Sequence, residues 1–436
     1  MVVTFICKAW CIYSYYQQRT MKTKISITTP ILILIIIINI IYFVFVSKTL
    51  INFKVKKPNN SEYMPLENWH YIDSNVYVYS AFWEHRMDPP FVKIIGIGLL
   101  KKMNISYLRC LLRYNQTVIT NTSVSYKTMH ESHLKRHTAA FFCCRVDQKP
   151  SHVALIKPGN NVIHWLKVHI IQPPNDKNEW LNNTVVCVRP FFGAFSNNNI
   201  KIAEFIAYYR ILGANSFVFY DYQTENSLKQ FLNFLSKNGI QIHLLPWFLP
   251  KNVIDTWQLG QLAAIADCVY RHARTHQYAL IIDVDEFIVP QRKTSLQEIL
   301  QDIINRRCKN CGTFIFRQTF FCVEYPDDPL SLKLRIPLLT LKKTRRETLI
   351  WKAYQRSKAI VRPIGIESPG IHFTFDSIKS WRTLIVNPKI AKLQHYRLHK
   401  CSDLNKTTRD RSIFKYKNVL LQSEILKLWY IFNINL

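Results

Sequence analysis

The stretch ALIIDVDEFIVP, residues 279–290, decides the fold of this chain. Four apolar residues lead into three carboxylates within four positions, and apolar residues then resume. An isolated carboxylate is expensive to remove from water, so an acidic cluster that borders a core strand requires a positive partner. The remaining sequence must therefore supply a cation, or a site for one, where this strand ends.

Strand-like and helix-like patterns alternate around this stretch. The β-branched run TVVCVRPFF at 184–192 precedes IKIAEFIAYYRILGAN, in which apolar residues recur at helical spacing and Gly213 is placed to end the helix. SFVFYD, a second helical pattern, IQIHLLPW and a third helical pattern then lead into YALIIDVDEF. This alternation predicts an α/β fold, a mostly parallel sheet with helices on both faces.

Acidic residues end two of the predicted strands. Asp221 ends SFVFYD, and the residues from Asp283 to Glu286 follow YALII. Ligands of such sheets bind at the carboxyl ends of the strands. We therefore expect both acidic groups on the ligand-binding edge.

The spacing of Asp283 and Asp285 indicates a metal site. Residues two positions apart in a strand point to the same face, where two carboxylates repel each other unless a cation lies near them. Oxygen ligands with open positions suit Mg²⁺ or Mn²⁺ whose coordination is completed by substrate phosphates. The alternative is that these acids cap the following turn or pair with neighbouring Arg or Lys residues.

The segment before the α/β region has a different pattern. From Tyr71 to about residue 174, short apolar or alternating runs are separated by tight polar segments, as is typical of antiparallel β structure. We predict a β-rich module at 70–180, the α/β domain at 181–401 and an extension at 402–436. The extension either packs as a helix on the α/β domain or mediates self-association.

A long apolar segment lies near the N-terminus. Residues 30–46 read PILILIIIINIIYFVFV, and with the residues from 25 onward they are long enough to span a bilayer as a helix. No small-residue cleavage site follows, which favours a signal anchor at 25–46 over a removed signal peptide. We predict a cytoplasmic tail at 1–24 and a stem at 47–69; Met21 is an alternative start.

The compartment is inferred from sequons and cysteines, because basic residues are balanced on the two sides of the anchor. The glycosylation sequons begin at Asn59, Asn104, Asn115, Asn121, Asn182 and Asn405. Nine cysteines follow the anchor, namely Cys110, Cys143, Cys144, Cys187, Cys268, Cys308, Cys311, Cys322 and Cys401. In an oxidising lumen most would pair and one would be left over. These features predict a single-pass type II membrane protein of the Golgi or another secretory membrane, with a luminal catalytic domain.

Two other features exclude competing interpretations. CKNC at 308–311 has no second CxxC or His pair, so a structural disulfide is favoured over a zinc site. The formal charge of +30 would suit a nucleic-acid partner, but Lys and Arg are scattered and no nucleic-acid-binding motif concentrates them. We expect no nucleic acid, and a basic surface that holds anionic ligands or membranes.

The motifs FIAYYRILGANSFVFYD, DCVYRHARTHQYALIIDVDEFIVP and AKLQHYRLHKC, in this order and spacing, resemble glycosyltransferase family 92 over about residues 184–401. The resemblance implies a Golgi-type single-pass enzyme with a GT-A fold. It implies inverting transfer of a hexose, with galactose from UDP-galactose as the first candidate, onto a glycan hydroxyl with Mn²⁺ or Mg²⁺. The alternative is a catalytically inactive family member that binds glycans.

The resemblance also assigns roles around the metal. Asp285 is expected to bind the metal directly or through water, Asp283 to reach the metal or the ribose, and Glu286 to orient either. Of the two late histidines, His372 and His395, we favour His395 as the third metal ligand, since Tyr396 and Arg397 complete the family-like triplet.

Further residues are expected around the nucleotide. Asp221 resembles the acid that faces the uridine, and Pro190 would shape its pocket. Gln261 and Asp267 match helix positions that face this pocket, although Asp267 is also interpretable as a solvated helix residue. The cofactor-binding set is completed by Lys358 and Arg362, which are expected at the diphosphate or, alternatively, as solvated charges.

An inverting transfer needs a base that takes the acceptor proton, usually a carboxylate within the pocket. VEYPDDP, which follows the predicted strand TFIFRQTFF, offers Glu324, Asp327 and Asp328 in an acceptor-side position. We predict that one of these three is the base, without a choice among them.

Overall fold

The computed structural model describes residues 68–100, 104–114, 117–159, 162–171, 183–192, 198–398 and 401–434. The predicted tail, the signal anchor and nearly all of the stem lie outside these residues. Within the described part of the chain, no helix has both the length and the apolar character needed to cross a bilayer. All described residues belong to one compact unit.

The first half of this unit is built of β-strands. Its strands are β1 (His70–Asp73), β2 (Val76–Glu84), β3 (Phe91–Leu99), β4 (Arg109–Tyr114), β5 (Thr117–Thr128), β6 (His137–Arg145), β7 (His152–Ile156) and β8 (Leu166–Ile170). They pair in the order β1-β2-β3-β6-β5-β4-β7-β8, and β8 also pairs with β2. Alternating apolar residues fill the core between these strands, where Cys110 and Cys144 form a disulfide.

The second half contains fourteen strands among the described residues. They are β9 (Thr184–Pro190), β10 (Ser216–Asp221), β11 (Gln241–Pro246), β12 (Tyr278–Ile281), β13 (Glu286–Pro290), β14 (Cys311–Phe316), β15 (Gln318–Cys322), β16 (Arg345–Glu347), β17 (Lys358–Val361), β18 (Ile366–Ser368), β19 (Asp376–Ser377), β20 (Arg382–Val386), β21 (Ala391–Arg397) and β22 (Thr407–Arg409). One sheet has the order β11-β10-β9-β12-β17-β14-β20 and a second the order β13-β21-β15-β16-β22. The short strands β18 and β19 form a separate pair.

The larger sheet is mixed. Strands β9 to β12 run parallel, as the alternating pattern predicts, but β17 is antiparallel to both β12 and β14. Because β17 runs in the opposite direction, its first residue lies at the edge where the parallel strands end. This reversal brings a late segment of the chain to the ligand-binding edge.

Helices cover both faces of this sheet, as predicted. The described helices are α1 (Asn199–Ile211), α2 (Asn226–Lys237), α3 (Gln261–Arg271), α4 (Leu296–Arg306), α5 (Leu339–Lys342), α6 (Lys417–Leu421) and α7 (Glu424–Ile434). Helices α1, α2 and α4 share one core, whereas α3 packs on the other face against the β-rich half. Helix α7 buries Ile425, Leu426 and Phe432 in the first core, so the extension packs on the α/β domain.

Most cysteines of the described residues pair and one is left over, as the sequence predicts for an oxidised chain. The disulfides of the described residues are Cys110–Cys144, Cys187–Cys268, Cys308–Cys311 and Cys322–Cys401. Cys143 is the remaining free cysteine among them. The bond from Cys187 on β9 to Cys268 on α3 ties together two elements that carry side chains of the site described below.

Candidate active site

The acidic residues of the opening stretch lie on a turn between the two sheets. Strand β12 ends at Ile281, the backbone N–H of Glu286 donates to the carbonyl of Asp283 at 3.1 Å, and Glu286 begins β13. This corrects the prediction that Asp283 and Asp285 share the face of one strand. The turn aims all three carboxylates into one cluster, and Glu286, which is 1% exposed, lies deepest.

Lys358 supplies the positive charge that the acids require. As the first residue of β17, it lies beside the end of β12, because Ala359 pairs with Ile281. Its Nζ is 2.9 Å from Asp283 Oδ2 and 3.4 Å from Glu286 Oε2, and the residue is 1% exposed. The alternative interpretation of Lys358 as a solvated charge is therefore wrong.

The charges in this cluster shift one another's pKa values. Burial raises the pKa of Asp283, but Lys358 and Arg189 outweigh it and hold that pKa well below its usual range. Burial raises the pKa of Glu286 above its ordinary value, and the neighbouring Asp283 adds to this rise against the opposing effect of Lys358. Asp283 is therefore the firmly ionised partner of Lys358.

His395 bridges the other two acids. It lies on β21 opposite Glu286 of β13, since these two residues pair directly. Its Nε2 is 3.3 Å from Asp285 Oδ2, and its Nδ1 is 3.3 Å from Glu286 Oε1 and 3.2 Å from Gln318 Oε1. Burial lowers the pKa of His395, but the charges of Asp285 and Glu286 outweigh burial and raise it.

Asp285 and His395 fit a divalent ion. An octahedral ion with bonds of about 2.1 Å brings neighbouring ligand atoms about 3 Å apart, close to the separation of Asp285 Oδ2 and His395 Nε2. Two acceptors, on Gln318 and Glu286, face Nδ1, so a neutral His395 carries its proton there and keeps Nε2 free as a ligand. Asp283 fits less well as a direct ligand, because Lys358 already neutralises it.

Side chains from β9 and from the start of α3 complete the cluster. Arg189 Nε is 3.7 Å from Asp283 Oδ1, while its Nη1 donates to Gln258 Oε1 at 2.9 Å. Gln261 Nε2 donates to Asp283 Oδ1 at 3.4 Å, so the structure brings the predicted Gln261 to the acids. Neither Arg189 nor Gln258 was predicted, because isolated polar residues at a strand end and in a loop give no periodic signal.

The backbone that precedes α3 is held in an unusual conformation. Gln258 and Leu259 have φ of 46° and 58°, and Gly260 has φ of 77°. A non-glycine residue in this left-handed region carries strain that surrounding contacts must offset. The Trp247 indole N–H donates to the Leu259 carbonyl at 2.9 Å and anchors the loop. The helix therefore begins at Gln261, directly after this strained segment.

Two more side chains lie near enough to the cluster to interact with its charges. Lys201, on the first turn of α1, interacts electrostatically with Asp285, although burial lowers the pKa of Lys201. His372 Nδ1 lies 3.1 Å from the Ser357 carbonyl, next to Lys358. Burial and the charge of Lys358 lower the pKa of His372 to about 4, so it is neutral near pH 7.

The nucleotide-side predictions have mixed outcomes. Asp221 ends β10 and pairs with Lys229 at 2.8 Å through Oδ2, while its Oδ1 has no hydrogen-bond partner among the described residues. Pro190 ends β9 and pairs with Tyr220 of β10. Asp267 is 0% exposed, and Tyr220 and Arg271 donate to its carboxylate. The solvated interpretation of Asp267 is wrong, and these bonds occupy both of its oxygens.

Arg362 requires a correction. Because β17 is antiparallel to β12, Lys358 lies at the carboxyl edge of the sheet and Arg362 follows the opposite end. There its guanidinium lies over the rings of Tyr278 and Trp381, at 5.7 and 5.6 Å from the ring centroids. Tyr278 is the first residue of β12, so Arg362 cannot meet a diphosphate at the end of that strand.

Two of the three predicted bases are structural acids. Arg411 donates two bonds to Asp328, which is 1% exposed, and together with Thr344 and the Leu330 N–H it holds the pKa of Asp328 well below its usual range. Such an acid is a poor proton acceptor near neutral pH. Asp327 likewise forms ion pairs with two lysines, Lys342 and Lys343.

Glu324 differs from these two acids because it is exposed. Its Oε2 lies 3.2 Å from Cys401 Sγ. Cys322, Glu324 and Cys401 come together with metal-like spacing, but both sulfurs are in a disulfide and offer no thiolate to a metal. Glu324 therefore stays a candidate base and not a metal ligand.

The fold and the site define a mixed α/β protein with carboxylates, a histidine and a buried lysine at the edge where ligands of such sheets bind. The sequence model of glycosyltransferase family 92 matches residues 182–425, more than half of the chain. The chain belongs to glycosyltransferase family 92.

Two individual proteins are similar to this chain. Beta-1,4-galactosyltransferase galt-1 of Caenorhabditis elegans is 28% identical over 244 residues, which cover 54% of this chain and 54% of the relative. The chain thus matches about half of the relative's length. The crystal structure of S. aureus TarS 1–349 in complex with UDP overlaps with a TM-score of 0.27 and 10% identity, over 56% of this chain and 66% of that chain. An overlap this weak supports no conclusion about the site.

Proposed function

We propose that this chain is a metal-dependent, inverting glycosyltransferase that moves a hexose from a nucleotide sugar to a glycan hydroxyl. The observation that carries the proposal is the pairing of Asp285 with His395 beside an Asp283 that Lys358 neutralises. Asp285 and His395 would hold Mn²⁺ or Mg²⁺, which supplies Lewis-acid stabilisation of the diphosphate leaving group. Family membership supports the same reaction class.

The surrounding residues keep this pair ready for a ligand. Lys358 removes the repulsion that Asp283 and Glu286 would otherwise exert on each other and on Asp285. Glu286 and Gln318 hold His395 by its Nδ1, which fixes the ring orientation and directs Nε2 toward Asp285. A preorganised site of this kind does not have to reorient its dipoles when the leaving group gains charge.

Arg189 and Gln261 fix the remaining oxygen of Asp283 and lie where β9 ends and α3 begins. We place the diphosphate and ribose against this side of the cluster. The uridine would then lie toward the unpartnered Oδ1 of Asp221 at the end of β10. Glu324 is the exposed carboxylate of the three predicted bases and is our candidate for the acceptor proton.

The donor is UDP-galactose in this proposal, and the name of the C. elegans relative, a beta-1,4-galactosyltransferase, supports that choice. The disulfides of the described residues support a luminal site in the secretory pathway, since such bonds persist in oxidising compartments. Single-pass membrane attachment through 25–46 and self-association are further parts of the proposal that rest on the sequence.

The experiment is a screen of nucleotide sugars with the whole chain, in which UDP release is measured with Mn²⁺ and with EDTA. We expect release from UDP-galactose that needs Mn²⁺, and a loss of at least a hundredfold in Asp285→Ala. Asp302→Ala, which removes a more exposed carboxylate that pairs with Arg306 on α4, serves as the matched control. If the folded chain releases no UDP from any donor, the proposed transferase activity is refuted and the glycan-binding alternative is left.

A further inference from the structure

One loop of the β-rich half reaches the candidate active site. The loop joins β5 to β6 and spans Met129–Arg136, which we call the 129–136 loop. Met129 is 2% exposed and fixes the start of the loop in the core that the two halves share. From His133 to Arg136 every residue is exposed. The loop is thus anchored at its base and presents its tip to solvent.

The tip contacts the strained segment that precedes α3. The His133 ring stacks on Trp257 with ring centroids 3.8 Å apart and an angle of 22° between the planes. Trp257 directly precedes Gln258, whose side chain accepts from Arg189, and Arg189 pairs with Asp283. Three side-chain contacts and the peptide link from Trp257 to Gln258 therefore connect the tip of the 129–136 loop with the acidic cluster.

The base of the loop contacts a second segment, which leads to His372. Glu131 Oε2 accepts from the backbone N–H of Ile371 at 2.5 Å, and His130 stacks on Phe375 with ring centroids 4.7 Å apart. Ile371 precedes His372, which lies near enough to the cluster to interact with its charges. Lys358 is near enough to Glu131 to interact with it electrostatically. The loop therefore contacts two separate segments, each of which leads to residues near the acids.

The tip has the composition of a sugar-binding surface. His133 is exposed, and its ring stacks on Trp257. Leu134 beside it is 92% exposed, and both residues have positive φ, 49° and 59°. An exposed apolar side chain next to an exposed ring offers the flat contact that the C–H face of a pyranose needs.

We propose that the 129–136 loop is the acceptor-side wall of the active site, and that His133, stacked on Trp257, with Leu134 binds a pyranose ring of the acceptor glycan. The proposal rests on the proposed function and deepens it. The donor diphosphate would occupy the acids at the strand ends, so the acceptor has to approach from outside, where the loop contacts these two segments. The β-rich half thereby becomes part of the site that selects the acceptor.

The test is retention of the whole chain on a printed glycan array in the presence of UDP and Mn²⁺. We expect the wild type to be retained by at least one class of glycan, and His133→Ala to lose about tenfold of that retention, the effect of one lost ring contact. His133→Phe keeps a ring at the position and is expected to retain binding. Leu134→Ser is expected to weaken binding, whereas Val162→Ser, which removes another exposed apolar residue of the β-rich half, is the control.

Each outcome decides the proposal. Equal retention of wild type and His133→Ala overturns it, as does a wild type that no glycan retains. Parallel loss in Val162→Ser would show that the array reports folding of the β-rich half, and would overturn it as well. UDP release from UDP-galactose, measured on the same wild-type sample, reports separately on the proposed function. If the chain releases UDP but shows no His133-dependent retention, the proposed function stands and the proposed role of the 129–136 loop is overturned.

Discussion

Replacing Lys358 by Met removes the counter-charge of the acidic cluster while it preserves the length of the side chain. At an effective dielectric constant of about 20, one unit charge at 2.9 Å attracts Asp283 by about 6 kcal/mol. Glu286, at 3.4 Å and with a raised pKa, contributes less. The desolvation of Lys358 offsets part of this attraction, and breaking buried pairs typically costs about 3–5 kcal/mol. We expect Lys358→Met to lose this amount of unfolding free energy.

The assay is guanidinium unfolding followed by tryptophan fluorescence, with EDTA and with millimolar Mn²⁺. Without Lys358, Asp283 and Glu286 keep only Arg189 and His395 as counter-charges, so Mn²⁺ should stabilise Lys358→Met more than the wild type. Lys229→Met breaks the more exposed pair with Asp221 and is expected to cost at most about 1 kcal/mol. Adding Asp283→Asn to Lys358→Met should recover part of the loss. Equal midpoints for Lys358→Met and Lys229→Met would refute our account of the counter-charge.

Two further predictions concern stability. Replacing Cys187 and Cys268 by Ala opens a disulfide-closed loop of 81 residues and is expected to cost about 4 kcal/mol of unfolding free energy. The same change at Cys308 and Cys311, which are 3 residues apart, should cost less than half as much. Equal shifts in the denaturation midpoints of the two variants would contradict this prediction. Burial raises the pKa of Glu204 to about 7, so the stability that its protonated carboxyl contributes is fully present below about pH 4.5 and is lost as the pH rises toward 7. In unfolding titrations over that range, the wild type should lose about 3 kcal/mol of unfolding free energy relative to Glu204→Gln. Parallel pH profiles of the two proteins would show that the buried carboxyl does not titrate there.

Much of the fold could be predicted because its signals are local. The predicted apolar face comprises Ile202, Phe205, Ile206 and Tyr209 of α1 and Leu212, which caps its C-terminus, and all five are 0% exposed. Ser295 accepts from the Glu298 N–H and caps α4, and a Ser three residues before a Glu is the sequence pattern typical of such a cap. The antiparallel insertion of β17 could not be predicted, because the four residues of β17 carry no periodic sign of strand direction.

The candidate site was harder to predict because its partners come from distant segments. Lys358 and Asp283 are 75 positions apart, and their contact depends on the direction of β17. The same reversal places Arg362 at the wrong edge, although both basic residues occur in one short motif. Asp328 looks like a free acid in VEYPDDP because Arg411, which engages it, lies 83 positions later. The residue types in the sequence predicted the acidic cluster, whereas the direction of β17 decides which of its basic residues contacts the acids.

The most direct test of the central claim is calorimetric titration of UDP into the wild type and into Asp285→Asn, each with Mn²⁺ and with EDTA. If Asp285 and His395 form a metal site for a nucleotide diphosphate, EDTA should weaken UDP binding to the wild type at least tenfold. Asp285→Asn should bind weakly in both conditions. UDP affinity in the wild type that is the same with Mn²⁺ and with EDTA would contradict the account.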